Sequence, residues 1–409
     1  MINLFRLLFL FRKNYVIMYV PVSFPSVHMK NSVLHWVVFK RNIYIKDWSE
    51  RLKMRFMKID QCKEGMIIGK NIYGRNKVVL LRRGYPLKHN HIKALANLGF
   101  TGLYVDDEAS AGIEIAEVVD AETRMNASVA VDELYESTKY LKLANTVTAA
   151  ENVIDSVASI VNQVFDSRDP VINIVSLKTY DAYTYQHCVD VAILSVILGK
   201  ELQLSRSQLQ NLGKAAIFHD IGKMQVPKHI LDKPGSLTPE EYDEMKKHTE
   251  LGYVIAKNFL SQPEIVSRGC LFHHERFDGE GYPKKLKGEQ IPAFARIIAI
   301  ADSYDAIVSN RSYKSSMPTS EAYEYIMANS ASHFDPDIVN IFIRKIAPFP
   351  VGSTVRLSNG REAIVVENRQ NFIMRPLIKL LDRREGDRGG YIDLAYDMSA
   401  TSITVVETI

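Results

Sequence analysis

His219 and Asp220 are adjacent in this chain and lead into Ile221-Gly222-Lys223. His187, His248, the pair His273-His274 and Asp302 stand on either side at helix-to-helix distances. Five imidazoles and two carboxylates, on what read as successive helices, make a site for two metal ions. Mixed imidazole and carboxylate ligation suits divalent iron or manganese. Two such ions a few ångströms apart are a means of hydrolysing a phosphate ester. An aspartate with two oxygens can bridge them, and Lys223, one turn past Asp220, can add a cation beside the phosphate.

Each of these residues must also be weighed as an ordinary one. His187 lies in line with Val191, Leu194 and Leu198, and His248 with Met245, Leu251 and Ile255, so both sit on apolar helix faces. One such histidine is more often a satisfied core residue than a ligand. Two of them, together with a His-Asp pair and a His-His pair, are a constellation. Asp302 falls in Ile297-Ile-Ala-Ile-Ala-Asp-Ser-Tyr-Asp-Ala-Ile-Val, a run with the composition of a buried helix. A lone buried carboxylate is costly unless it is paired or bound to a metal. Asp305 shares that run and reads as a structural companion of Asp302. Cys188 and Cys270 neighbour the candidate ligands, but harder donors already suffice there, and helix packing is the expected role of both thiols.

The elements that must position these groups are mostly helical. Residues 165–347 read as a helical bundle. Thr238-Pro239-Glu240-Glu241 carries a helix start with a Thr cap, a first-turn Pro and a Glu that closes a capping box. Asp335-Pro336 is a second such start. Residues 54–116 alternate strand-like runs with a helix and read as a small α+β module, with His89 and His91 on a loop surface. Residues 117–164 read as a helical connector. Its stripe of Val153, Val157, Ile160, Val161 and Val164 suits a core helix, a dimer seam or a linker. Residues 348–409 change to the strand period, with Asn359-Gly360 as a hairpin turn, and read as a small antiparallel β unit. The fold class expected is therefore mainly α with small α+β and β appendages.

Bulk properties agree. The 409 residues suggest two or three domains at roughly 150 residues each. A formal net charge of +4 offers no argument for a nucleic-acid partner. Three cysteines are too few for a disulfide framework. Residues 1–53 differ in kind: they hold no Gly or Ala, both tryptophans (Trp36 and Trp48), and nine Lys and Arg against two Asp and Glu. The apolar run Leu4–Phe11 contains Arg6 and falls far short of a membrane span. This stretch is expected to be a non-native or disordered extension, with the native start at Met54 or Met57. A basic arm that associates with a membrane is the alternative.

With those motifs in view, residues 165–347 resemble an HD-GYP domain, a branch of the HD phosphohydrolases. Both name-giving motifs are present: His219-Asp220, and Gly281-Tyr282-Pro283 within His273-His-Glu-Arg-Phe-Asp-Gly-Glu-Gly-Tyr-Pro. Asp181-Ala-Tyr-Thr-Tyr-Gln-His-Cys-Val-Asp-Val-Ala and Ala295-Arg-Ile-Ile-Ala-Ile-Ala-Asp-Ser-Tyr-Asp-Ala match as well. The resemblance implies an all-helical domain that hydrolyses cyclic di-GMP to pGpG or onward to GMP. It implies His187, His219, Asp220, His248, His273, His274 and Asp302 as metal ligands with Asp220 as the bridge. It also implies Lys223 near the scissile phosphate, and Arg311 and Lys314 as the basic pair that contacts the dinucleotide.

The chain departs from the family pattern at three points. Members with a third metal carry a Glu one turn before the first histidine, and Tyr183 stands there, so two ions, iron or manganese, are expected. The usual Asp-Arg-Pro-Tyr-Arg run is Asn310-Arg311-Ser312-Tyr313-Lys314. Glu280 stands where Thr is usual. The Gly281-Tyr282-Pro283 segment reads equally as a loop that shapes the site and as a dock for diguanylate cyclases or other signalling partners. The functions weighed are a cytoplasmic cyclic di-GMP phosphodiesterase, a hydrolase of another cyclic dinucleotide, and an adaptor that binds without turnover.

Overall fold

The computed structural model describes residues 9–12, 15–18, 38–40, 54–74, 78–139, 143–167, 171, 183–309, 317–382 and 390–409. The chain divides into two compact units, Met1–Lys53 and Met54–Ile409. In the first, strands β1 (Phe9–Arg12), β2 (Tyr15–Met18) and β3 (Val38–Lys40) pair antiparallel in that order. The expectation of a non-native extension falls mostly on residues outside the described ones.

The second unit opens with β4 (Arg55–Lys58), β5 (Ile67–Ile68), β6 (Ile72–Tyr73), β7 (Val79–Leu81), α1 (His89–Asn97) and β8 (Gly102–Asp106). β8 pairs antiparallel with both β4 and β5, while β6 and β7 pair with each other. Leu87 and Leu95 pack with Ile68, Leu103 and Val105 to close this small core. His89 lies exposed at the first turn of α1 rather than on a loop, and the ring of His91 accepts the Lys88 N–H at 3.3 Å.

Next come α2 (Ala121–Lys139), α3 (Leu143–Asp166), α4 (Tyr183–Glu201) and α5 (Arg206–Phe218). The valine stripe of α3 is buried in the same core as Val191, Leu194 and Leu198 of α4 and Leu209 and Leu212 of α5. The helices of the connector segment therefore belong to the bundle's own packing. Ser205 caps α5: its hydroxyl accepts from Gln208 N, and the Gln208 side chain accepts from Ser205 N at 2.9 Å.

A tight 3-10 turn, Ile221–Gln225, follows α5. Then come α6 (Lys228–Leu231), α7 (Pro239–Lys246), α8 (His248–Val254), α9 (Glu264–Phe272), α10 (Ala293–Val308), α11 (Thr319–Ala328) and α12 (Pro336–Lys345). Both helix starts expected from sequence are present. Thr238 Oγ1 accepts from Glu241 N at 3.2 Å, and an Asp335 oxygen accepts from Asp337 N at 2.9 Å. α10 buries nine of its residues, among them Ile297, Ile298 and Ile300. Each such aliphatic side chain contributes about 1.5–3 kcal/mol by leaving water, which holds the helix against α4 and α9. Among the described residues no helix is long and apolar enough to cross a membrane. The described chain is mainly α, as expected.

The last 56 residues form β9 (Thr354–Leu357), β10 (Glu362–Glu367), β11 (Leu377–Leu380), β12 (Tyr391–Asp393) and β13 (Val405–Thr408), an antiparallel sheet in the order β12-β11-β10-β9-β13. This sheet is stitched to the start of the unit. Phe56 N donates to Gly352 O at 2.9 Å, and the buried Lys379 ammonium donates to Ala109 O at 2.8 Å and Ala111 O at 3.0 Å. Ile113 completes the sheet's apolar core. Periodicity along the chain could not show that these two segments meet.

Candidate metal centre

α4 brings His187 to α10, where Asp302 and Asp305 lie three residues apart and so share one face. His187 Nε2 is 3.0 Å from Asp302 Oδ1, and its Nδ1 is 2.6 Å from Asp305 Oδ2. Burial alone would lower the His187 pKa. The two carboxylates outweigh it and push it up to about 9. Burial likewise pushes Asp302 up, but its contact with His187 wins and holds the carboxyl well below the usual range.

At the end of α5, His219 and Asp220 lead the chain into the 3-10 segment that carries Lys223. Gly222 makes this turn fit. A Cβ there would lie 2.0 Å from His248 O and 2.5 Å from Gly252 N, so only glycine lets the turn press against the first turn of α8. That contact sets Asp220 beside His248. Burial pushes the Asp220 carboxyl up, but the Lys223 ammonium, 2.5 Å away, and the neighbouring imidazoles outweigh it and hold it well below the carboxylate range.

Three histidines are oriented the same way. His219 Nδ1 lies 2.7 Å from Ala216 O, His248 Nδ1 2.7 Å from Met245 O, and His273 Nδ1 2.8 Å from Cys270 O, each three residues back. A carbonyl only accepts, so Nδ1 must carry the proton and Nε2 must present a lone pair. His187 reaches the same tautomer by another route, with Asp305 in the carbonyl's place, once the Nε2 proton held against Asp302 is displaced. Burial holds His248 down to about 4 and His274 down to about 3, and it puts His273 well below its ordinary value. These three rings are neutral donors at neutral pH.

The lone pairs gather in two groups. Asp220, His248, His273 and His274 form one, and His187, His219 and Asp302 the other; within each, donor atoms lie within 4.8 Å of one another. Asp220 joins the groups. Its Oδ2 is 3.3 Å from His219 Nε2, while its Oδ1 is 3.5 Å from His248 Nε2 and 3.8 Å from His273 Nε2. His219 Nε2 and Asp220 Oδ1 are fully buried and have no hydrogen-bond partner. An imidazole lone pair and a carboxylate oxygen, each buried in one cluster without a partner, are a costly arrangement unless cations meet them. The donor set therefore fits metal ions.

The His-His pair is held by the loop that follows it. Glu275 is buried, and its two oxygens accept from Lys284 N at 2.6 Å and Leu286 N at 3.0 Å, folding residues 276–286 back over the pair. Gly281 crosses where a Cβ would meet Arg276 N at 2.3 Å and His274 O at 2.6 Å. Tyr282, joined to Pro283 by a cis peptide bond, then stacks on the His274 ring with centroids 4.8 Å apart and planes at 25°. The Gly281-Tyr282-Pro283 segment thus shapes one wall of the centre.

All seven candidate ligands and Lys223 converge. Arg311, Lys314 and the side chain of Tyr183 lie outside the described residues. Sequence reasoning missed two groups. Asp305, expected as a companion of Asp302, holds His187, and Glu275 pins the loop after the His-His pair. The i, i+3 spacing to Asp302 signalled the first; nothing local signalled the second. Cys188 and Cys270 are buried, burial pushes both thiols up, and neither belongs to the two donor groups.

Residues 170–338 match the HD domain family. The segment is an HD domain. Its two signature motifs meet at one site, as the HD-GYP resemblance implies. Over 254 residues the chain is 36% identical to a Pseudomonas aeruginosa protein named cyclic di-GMP phosphodiesterase, covering 62% of this chain and 60% of that one. A Thermotoga maritima protein named cyclic di-GMP phosphodiesterase is 40% identical over 177 residues, 42% of this chain and 47% of its own. A Vibrio cholerae protein named 3'3'-cGAMP-specific phosphodiesterase 2 is 35% identical over 181 residues, 43% of this chain and 34% of its own. The matches thus span three-fifths or less of these relatives' length.

Proposed function

We propose that the HD domain is a cytoplasmic, metal-dependent phosphodiesterase that hydrolyses cyclic di-GMP to pGpG, with GMP as a further product. One observation carries the reading: the two oxygens of Asp220 face two separate donor groups. His187, His219 and Asp302 would hold one ion, His248, His273 and His274 the other, and Asp220 would bridge them. Bound there, two iron or manganese ions would polarise the phosphate and bring the pKa of a water towards neutrality.

The chain's own residues do the rest. Lys223 is anchored on Asp220 and 30% exposed, so its remaining N–H donors can meet a phosphate oxygen as charge builds there. Asp305 and the three backbone carbonyls fix the tautomers of their histidines. Tyr282 and the loop pinned by Glu275 wall off the His274 side. Arg311 and Lys314 are proposed as contacts to the dinucleotide, Arg through its planar fork and Lys as a point charge.

The names of the Pseudomonas and Thermotoga relatives support cyclic di-GMP as substrate. The Vibrio relative's name supports a second reading, hydrolysis of a hybrid cyclic dinucleotide. Purification without oxygen, elemental analysis, and product identification with cyclic di-GMP and 3'3'-cGAMP decide between them. Two metals per chain and pGpG from cyclic di-GMP are expected. Binding of both dinucleotides by the metal-loaded protein without cleavage of either would leave an adaptor instead.

A further inference from the structure

We propose that Lys246 is a second-phosphate site, a fixed cation outside the metal centre that holds the non-reacting phosphate of a cyclic dinucleotide. This rests on the cyclic-dinucleotide reading above and goes beyond it, since none of the candidate ligands contributes to it.

The observation is an ammonium held in a corner. Tyr282, stacked on His274, has Tyr242 of α7 at its edge, with centroids 6.5 Å apart and planes at 77°. Lys246 Nζ sits 4.7 Å from the Tyr242 centroid and 5.9 Å from that of Tyr282. Asp243, on the same helix, holds the ammonium at 2.7 Å. A lysine on a surface helix normally sweeps many rotamers, and ordering it costs entropy. Here two ring faces and one carboxylate fix it within two ring contacts of a metal-ligating histidine. Tyr242 remains 48% exposed, so the corner opens to solvent.

Lys246 has three donors, and Asp243 engages one side of the ammonium. A cyclic dinucleotide carries two phosphodiesters, and only one can lie on the metal centre at a time. The other remains a full negative charge that must be met outside it. Lys246 is a cation fixed at the rim, and its backbone is tied to the centre, because Met245, its neighbour, orients His248 through its carbonyl. Tyr242 acts through Lys246 as its positioning residue.

The test is a KM comparison between cyclic di-GMP and bis(4-nitrophenyl) phosphate, which has a single phosphodiester. Charge-assisted contacts of this kind correspond to about tenfold or more in affinity. Lys246→Met is expected to raise KM for cyclic di-GMP about tenfold more than KM for the single diester, with kcat for cyclic di-GMP within about threefold of wild type. The salt dependence of that KM should weaken, since one phosphate contact is lost. Lys246→Arg should recover most of the loss, and Tyr242→Ala should reproduce part of it. Metal content measured on every variant ties the change to the cation. Equal KM shifts for both substrates, no shift at all, or a fall in metal content with Lys246→Met would overturn the proposal. Absence of cyclic di-GMP turnover by the wild-type protein would instead sink the reading it rests on.

Discussion

His187 Nδ1 stands 2.6 Å from Asp305 Oδ2, and this contact does for His187 what backbone carbonyls do for His219, His248 and His273. For His187 a carboxylate from another helix sets the tautomer. Removing such a partner lowers metal affinity by about 10–100-fold in comparable sites. Asp305→Ala is expected to weaken one of two bound ions by that factor while leaving the other. Competition with a graded series of chelators, read by elemental analysis, checks this. Two ions held as tightly as in wild type would remove Asp305 from the centre.

Asp220→Asn tests the bridge. The amide is isosteric but carries one neutral oxygen, so it cannot hold ions on both sides. Loss of both metals and of turnover is expected, with the fold kept because the side-chain volume is unchanged. Full activity in this variant would discredit the bridging role. Retention of a single ion would show that the two donor groups load independently.

The pH dependence should be asymmetric. In the metal-free protein His187 stays protonated up to about pH 9, so an ion entering its group must displace a proton at pH 7. Affinity there should rise with pH until about 9 and then level off. His248 and His274 titrate only near 4 and 3, so the other group already presents neutral rings and should bind with little pH dependence between about 5 and 9. Metal titration in weakly buffered solution at pH 7.5 should release close to one proton per chain. Release that stays constant from pH 7 to 10 would contradict this assignment.

Gly222 should tolerate no side chain. The atoms a Cβ would strike, His248 O and Gly252 N, are backbone and cannot swing away. Gly222→Ala should cost about 1–3 kcal/mol or more in overpacking. It should also loosen metal binding, because α8 carries His248. Denaturant titration and metal content together check this. Wild-type stability with normal loading would mean that the turn and α8 can separate without cost.

The sequence by itself named the residues that converge at the centre. His187, His219, Asp220, His248, His273, His274 and Asp302 were legible because imidazoles and carboxylates on apolar helix faces conflict with burial unless something binds them. The helical bundle, the Thr238 and Asp335 caps and the Asn359-Gly360 hairpin were legible because capping and turn chemistry are local. Tertiary structure alone decided the rest. It assigned Asp220's two oxygens to different donor groups, turned Asp305 from a neighbour of Asp302 into the partner of His187, and gave Glu275 the task of folding a loop. It also packed α2 and α3 into the bundle's core and sewed the last sheet to the first strands through Lys379. Each of these is a contact between residues far apart in the chain or a choice of direction by a single side chain. Periodicity reports which face of an element is apolar, but not which other element that face will meet.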